Sequence, residues 1–164
     1  MDIAWVSSRV LGSDLCSTTQ INLANGLSEK GHTVIFYSPG SVEGVRFQHI
    51  CTMQSRVSGF KSRSIVKNLL TKIDDLNKAD VVLIDWTLWG LASRISKPKI
   101  LIDRSPPADS GLLAKLQWRP WRRAWSKANK GITVSSAHSK FVTEITKFDG
   151  KSIRVIPAGV DLDL

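Results

Sequence analysis

Apolar residues follow two alternating periods along the chain, and this alternation predicts an α/β fold. Continuous apolar runs such as 3–7 and 81–84 are typical of strands buried on both faces. Segment 45–50 alternates apolar and polar residues, which favours a strand nearer the sheet edge, whereas 65–76 has helical spacing. The pattern predicts a doubly wound, mostly parallel, Rossmann-like sheet with helices on both faces. The predicted strands are 3–7, 33–37, 45–50, 81–84, 99–102, 131–134 and 152–156, and the predicted helices are 17–30, 65–76, 88–96, 112–129 and 136–148.

Local signals set the expected ends of these elements. Ser17 and Gln20 have the spacing of a capping box, which predicts the start of the first helix, and Gly31 is expected to end it. Segment 55–64 is polar and contains glycine, so we expect a mobile loop there. Pro120 is expected to interrupt the long fifth helix.

Length and composition predict a single globular domain over residues 1–164. The chain is 42% apolar and 23% charged, close to the average of soluble proteins. No run approaches the ~18 apolar residues of a membrane span, and the N-terminus lacks the features of a signal peptide. Cys16 and Cys51 are too few for a disulfide framework, and neither cysteines nor histidines have metal-site spacing. We therefore expect a cytoplasmic protein without bound metal.

The charge balance favours an anionic partner. Lysine and arginine number 23 against 14 acidic residues, which gives a net charge of +9. Nucleic acid, a phospholipid surface and phosphorylated small molecules all fit such an excess. A solvated basic surface that complements an acidic second domain fits it equally well.

Polar residues follow several of the predicted strands. Ligands of doubly wound sheets bind outside the carboxyl ends of the strands, so these residues are expected to gather at one cleft. They are Arg9, Gly12 and Ser13 after the first strand, Asp85 after strand 81–84, Asp103 and Arg104 after strand 99–102, and Ser135 and Ser136 after strand 131–134.

Each of these candidates also has a structural interpretation. Ser135, its neighbour Ser136, Asp85 and Asp103 are residue types that cap helices. Arg104 follows a buried strand and needs an anionic partner, which is one of the two aspartates or a phosphate. The loop around Gly12 feeds a helix N-terminus, but it matches neither a dinucleotide fingerprint nor a P-loop.

Segment 112–130 combines tryptophan with arginine. Three of its tryptophans form one stripe on a helix, with arginines beside and opposite. One interpretation is that the stripe packs on the sheet, as every crossover helix must do. The other is a contact with an anionic membrane surface, and the two are compatible. The residues concerned are Trp118, Trp121, Trp125, Arg119, Arg122 and Arg123.

Three stretches carry a family resemblance. Residues 1–40 resemble an opening strand, a glycine loop and a helix that ends before a valine-rich strand. Residues 127–145 are similar to a strand with its following helix, and residues 153–164 read IRVIPAGVDLDL. In these stretches, whose order and spacing also match, the chain resembles the N-terminal domain of retaining GT-B glycosyltransferases of the family 4 type. That group includes glycogen synthases, sucrose synthases and mannosyltransferases.

The chain departs from this family pattern at several positions. It has a lone Gly12 where the family has a glycine pair, and no histidine follows the strand that ends at 102. Ala158 replaces an asparagine, and no two glutamates lie seven residues apart. In the family those glutamates belong to the nucleotide-sugar-binding C-terminal domain, so that domain is expected to be absent from residues 1–164.

The resemblance implies sugar transfer from a nucleotide-diphosphate sugar to a lipid-linked, phosphorylated or saccharide acceptor, with retention and without metal or other cofactor. Asp103 and Arg104 then lie where the family has acceptor-side catalytic groups. Gly12 allows backbone amides to approach the donor phosphates, and Ser135 and Ser136 line the floor.

The expected partners are the two substrates, the missing C-terminal domain and an anionic membrane surface, with no nucleic acid. The isolated chain is expected to be inactive, and the full-length protein is expected in the cytoplasm, peripheral on the inner face of the membrane. Two alternatives stay open: a separate non-catalytic subunit that anchors a catalytic partner, and a small-anion-binding Rossmann-like module.

Overall fold

A seven-stranded sheet forms the centre of the molecule. The computed structural model describes residues 1–12, 15–57, 59–107 and 111–157. Neighbouring strands pair in parallel throughout, in the order β3-β2-β1-β4-β5-β6-β7, so the predicted fold class is confirmed. The strands are β1 Asp2–Val6, β2 Thr33–Ser38, β3 Gln48–Cys51, β4 Val81–Asp85, β5 Lys99–Asp103, β6 Lys130–Thr133 and β7 Ile153–Val155.

Helices cover both faces of this sheet unequally. On one face α1 packs through Ala24 against Ile3 and Trp5 of β1. On the other face the remaining helices pack against alternate residues of the same strands, such as Ala4 and Val6. The helices are α1 Leu15–Glu29, α2 Lys61–Leu70, α3 Ile73–Leu76, α4 Trp89–Ala92, α5 Leu112–Lys127 and α6 Ser136–Thr146.

The start of α1 differs from the prediction. The helix already includes Leu15, and Ser17 lies inside it, where its hydroxyl donates to the carbonyl of Gly12 (2.8 Å). Gln20 is fully buried and its amide donates to Ser7 Oγ (3.2 Å). The predicted capping box is therefore wrong, because both side chains bind the loop after β1.

Helix α5 is continuous where an interruption was predicted. It runs from Leu112 to Lys127 with Pro120 inside it. An internal proline removes one backbone hydrogen bond and costs about 3 kcal/mol. Trp121 and Trp125, both fully buried, follow it within the same helix. Their burial offsets the cost, since a large aromatic side chain contributes several kcal/mol, about as much as the proline costs.

The segment before α2 is more ordered than its composition predicts. Helix α2 begins at Lys61, so the last four residues of the predicted 55–64 loop are helical. The backbone N–H of Ser55 donates to Ser64 Oγ (2.7 Å), and that of Met53 donates to Asn68 Oδ1 (3.3 Å). The segment is thus fixed along the helix.

Two predicted features lie outside the described residues. They are Ser13 and residues 158–164 of the C-terminal motif.

Candidate functional site

The strand order places a crevice between β1 and β4. From β1 the chain continues to β2 on one side, whereas β4 leads to β5 on the other. Such a reversal is the point where doubly wound sheets bind ligands, outside the carboxyl ends of the strands. Ser7, Ser8 and Arg9 follow β1 here, and Asp85 ends β4.

Asp85 is the centre of a hydrogen-bond network at this crevice. Its Oδ2 accepts from Ser7 Oγ (2.7 Å) and from the backbone N–H of Ser8 (3.2 Å). Ser7 in turn accepts from the backbone N–H of Arg9 (3.2 Å), and the hydroxyls of Ser8 and Thr87 are 2.7 Å apart. The network joins the ends of the two central strands and fixes the loop that leads to α1.

Two arginines act on Asp85 electrostatically. Burial raises the pKa of the Asp85 carboxyl, while the hydrogen bond from Ser7 and the charges of Arg104 and Arg9 lower it. Burial is the largest of these effects, so the net direction is upward. Asp85 is thus one anionic group close enough to interact with Arg104. A contact of Arg104 with a phosphate stays a prediction.

The raised pKa predicts how stability depends on pH. The folded state holds the Asp85 proton more tightly than the unfolded chain, so this contribution is complete below the unfolded pKa of 3.8. It is lost as the pH rises from there through the folded pKa. Asp85→Asn removes the titration, and we therefore expect the variant to gain stability relative to the wild type over that interval. Urea unfolding between acidic and neutral pH measures the difference.

Asp75→Asn provides a control of opposite sign. The hydrogen bond and charge of Lys78 lower the pKa of Asp75, so its small contribution is present above the unfolded pKa and disappears on acidification. If the stability of Asp85→Asn relative to the wild type instead fell as the pH rose, burial would not be the dominant effect on the pKa of Asp85.

The remaining loop candidates have mainly backbone roles in the structure. Ser135 is the N-cap of α6 and accepts from the backbone N–H of His138 (3.1 Å), as its structural interpretation predicts. Ser136 begins the helix and is exposed. Gly12 is exposed, and a Cβ there would meet no atom of the described residues within 4 Å. Their predicted contacts with substrate stay predictions.

Asp103 lies beneath α5 and not at an open surface. Its side chain is fully buried, and Oδ2 accepts from the indole N–H groups of Trp121 (2.7 Å) and Trp125 (2.9 Å). Oδ1 is buried and has no hydrogen-bond partner among the residues that the structure describes. The structure thus shows a carboxyl that holds the tryptophan stripe in place, and a catalytic role for it stays a prediction.

Sequence reasoning did not single out His138. This residue is 8% exposed, and its Nε2 lies 3.4 Å from Asp103 Oδ2. Within the described part of the chain, neither ring nitrogen has a hydrogen-bond partner. A histidine three residues after a serine cap is only a weak sign of a site in the sequence. Its neighbour Asp103 lies on strand β5, far from helix α6 along the chain.

A mostly apolar pocket of about 250 Å³ lies beside this site. It is bounded by α1 and by the carboxyl ends of β5, β6 and β7, with Arg104 in its lining. Trp5 also lines it, and the buried indole N–H of this residue has no hydrogen-bond partner in the described ranges. The lining is thus mostly apolar, with the polar residues Thr19, Asp103 and Arg104 among its members.

The tryptophans of α5 face inward and its arginines face outward. Trp121 is fully buried and Trp118 is half-buried against Trp121 and Phe141. Trp121 therefore cannot contribute to a membrane surface, which corrects that assignment, because its ring and N–H are both used in the core. Arg119, Arg122 and Arg123 are exposed, and Arg123 lies over the ring of Trp89 on α4 (5.5 Å).

The described residues contain no group of three or more His, Cys, Asp or Glu side chains that could hold a metal ion. Within the same ranges, no helix combines the length and apolar character needed to cross a bilayer.

A family comparison identifies the class to which this Rossmann-like domain belongs. The model of glycosyltransferase family 4 matches residues 17–164. The chain therefore belongs to glycosyltransferase family 4, and the resemblance found in the sequence is confirmed. A search of curated protein sequences finds no match.

Solved glycosyltransferase structures share the fold. Sucrose-phosphate synthase from Thermosynechococcus elongatus is 12% identical with a TM-score of 0.74, over 99% of this chain and 49% of that one. WaaG, a glycosyltransferase of lipopolysaccharide biosynthesis, is 13% identical with a TM-score of 0.74, over 98% and 46%. Anabaena HepE in complex with UDP-glucose is 11% identical with a TM-score of 0.72, over 99% and 45%. The chain thus spans about half the length of these structures.

Proposed function

We propose that residues 1–164 form the acceptor-side half of a glycosyltransferase that moves a sugar from a nucleotide-diphosphate sugar to a lipid-linked, phosphorylated or saccharide acceptor. The transfer proceeds with retention and without metal. The observation that supports it best is the Asp85 network with its two arginines at the β1/β4 crevice of a family 4 domain. HepE, one of the similar structures, was solved with UDP-glucose.

The charges at the crevice suit this chemistry. When the glycosidic bond to the donor breaks, negative charge builds up on the leaving diphosphate. Arg9 and Arg104 supply positive charge at the carboxyl edge, and Asp85 holds the loop that carries Arg9. In this proposal a second, nucleotide-binding domain closes over the same edge.

Transfer assays on the full-length gene product test the proposal. Incubation with a panel of nucleotide-diphosphate sugars should release nucleoside diphosphate in the presence of acceptor, and a chelator should not abolish the reaction. Proton NMR of the product should show the anomeric configuration of the donor. Residues 1–164 alone should show no transfer. Robust transfer by this part alone would contradict the division of labour between two domains.

Arg104→Gln should reduce kcat/KM of the full-length enzyme by about 10–100-fold, because a charge-assisted hydrogen bond contributes roughly 1.5–3 kcal/mol. Initial rates at varied donor concentration give this value. Arg94→Gln is the matched control, since Arg94 is exposed and follows α4 toward the opposite edge of the sheet. Equal kcat/KM values for both variants and the wild type would show that Arg104 does not take part in the reaction.

We also propose that the protein binds the cytoplasmic face of an anionic membrane. The exposed arginines of α5 support this, because each basic residue near an anionic surface contributes about 1 kcal/mol. The same contact would serve a non-catalytic subunit that anchors a partner. Flotation with anionic and neutral vesicles tests the contact, and the transfer assay separates the enzyme from the subunit.

A further inference from the structure

Three of the most exposed large apolar side chains lie close together in sequence, between β3 and α2. Met53 is 76% exposed, Val57 60% and Phe60 54%. The described residues 52–57 and 59–60 make up this stretch, hereafter the β3–α2 segment. It starts where β3 ends, so it lies at the same carboxyl edge of the sheet as the candidate site.

The backbone that carries these three exposed side chains is held by hydrogen bonds. Besides the hydrogen bonds from Met53 and Ser55 to α2, the backbone N–H of Val57 donates to Ser55 Oγ (3.1 Å). The N–H of Phe60 donates to the carbonyl of Val57 (3.2 Å). The segment is thus anchored along α2 while three apolar side chains face solvent.

The surroundings of these side chains are uniformly cationic. Of the 14 acidic residues in the sequence, none lies between positions 44 and 73. Arg56, Lys61, Arg63 and Lys67 are exposed on the β3–α2 segment and α2, and the guanidinium of Arg63 lies 5.8 Å from the centre of the Phe60 ring. Apolar side chains surrounded by cations are the combination that inserts into an anionic lipid interface.

The basic surface of α5 belongs to the same layer. Helices α2 and α5 both pack against α4 and the 3-10 turn Trp86–Leu88. The sequence between positions 110 and 143 also lacks acidic residues. One anionic surface can therefore attract both helices, but the described part of α5 exposes mainly charge, and the β3–α2 segment supplies apolar groups.

We propose that Met53, Val57 and Phe60 insert into the interfacial region of an anionic lipid bilayer and orient the carboxyl edge of the sheet toward the membrane. This inference rests on the proposed membrane association and specifies its apolar element. A lipid surface fits better than a protein partner, because every charged side chain around the three apolar residues is positive. The segment itself has no acidic residue to pair with them.

Flotation of the full-length protein tests the inference with vesicles of phosphatidylcholine alone or mixed with phosphatidylglycerol. The wild type should float with the mixed vesicles. Met53→Ser/Val57→Ser/Phe60→Ser should weaken partitioning by about ten-fold or more, since apolar area is no longer transferred out of water. Val155→Ser is the matched control, because Val155 is 38% exposed on β7 at the other end of the sheet. It should float like the wild type, and all variants should keep the wild-type Tm.

A depth probe separates insertion from electrostatic attraction. An environment-sensitive fluorophore on Val57→Cys, in a Cys16→Ser/Cys51→Ser background, should shift to the blue on binding and be quenched by brominated lipid. If the wild type ignores anionic vesicles, the proposed association and the inference both fail. If it binds but the triple variant binds equally and the probe stays in water, only the inference fails. A homodimer that the triple substitution dissociates would also overturn it, in favour of self-association.

Discussion

Asp103→Ala is expected to lower the free energy of unfolding by about 3–5 kcal/mol. The carboxyl is fully buried and accepts hydrogen bonds from the indole N–H groups of Trp121 and Trp125. Alanine leaves both donors buried without an acceptor, at a cost of roughly 1–3 kcal/mol each. It also leaves a cavity between β5 and α5.

Urea unfolding at neutral pH, followed by tryptophan fluorescence and circular dichroism, measures the loss. Asp103→Asn is the matched control, because its amide oxygen still accepts from the indoles; we expect a loss of about 1–2 kcal/mol. Trp125→Phe removes one donor and should fall between the wild type and Asp103→Ala. A loss below about 1 kcal/mol for Asp103→Ala would show that water or a rearranged side chain satisfies the indoles.

The asparagine variant also tests the catalytic assignment of Asp103. In the full-length enzyme, a purely structural role predicts that activity at low temperature stays within a few-fold of the wild type while the Tm falls. A catalytic role predicts a large fall in kcat at temperatures where the variant is fully folded.

The fold was predictable because two periods dominate the sequence. Continuous β-branched runs such as 81–84 form central strands, and the alternating segment 45–50 overlaps the edge strand β3. The predicted start of α1 was wrong because side chains there bind residues outside the helix. Ser17 and Gln20 have capping spacing, yet they bind the loop after β1 because that loop folds over the start of α1.

The candidate site was only partly predictable for the same reason. Strand ends identify Asp85 and Arg104, since topology alone brings them to one edge. The bond from Ser7 to Asp85 joins residues 78 positions apart, and no local pattern encodes it. Likewise the tryptophan stripe was visible, but the acceptor of its N–H groups was not, because Asp103 belongs to another element.

A second large effect is expected at Gly131 on β6, which lies against Trp125, one of the two tryptophans bonded to Asp103. A Cβ at this position would overlap the six-membered ring of Trp125. That ring cannot move aside easily, because it is fully buried, bonded to Asp103 and packed edge-on against Phe148 with centroids 5.0 Å apart. Gly131→Ala should therefore destabilise the fold by about 2–3 kcal/mol through overpacking.

Gly26→Ala is the matched substitution with the opposite sign. Gly26 lies inside α1 and a Cβ there meets no atom within 4 Å, so alanine should stabilise the fold by about 0.5–1 kcal/mol through helix propensity. Trp125→Phe removes the ring atoms that Gly131→Ala would strike. In that background Gly131→Ala should cost markedly less, and a double-mutant cycle by urea unfolding measures the difference. Additive costs would mean that the strain at Gly131 is relieved by backbone movement of β6 and not borne by the indole.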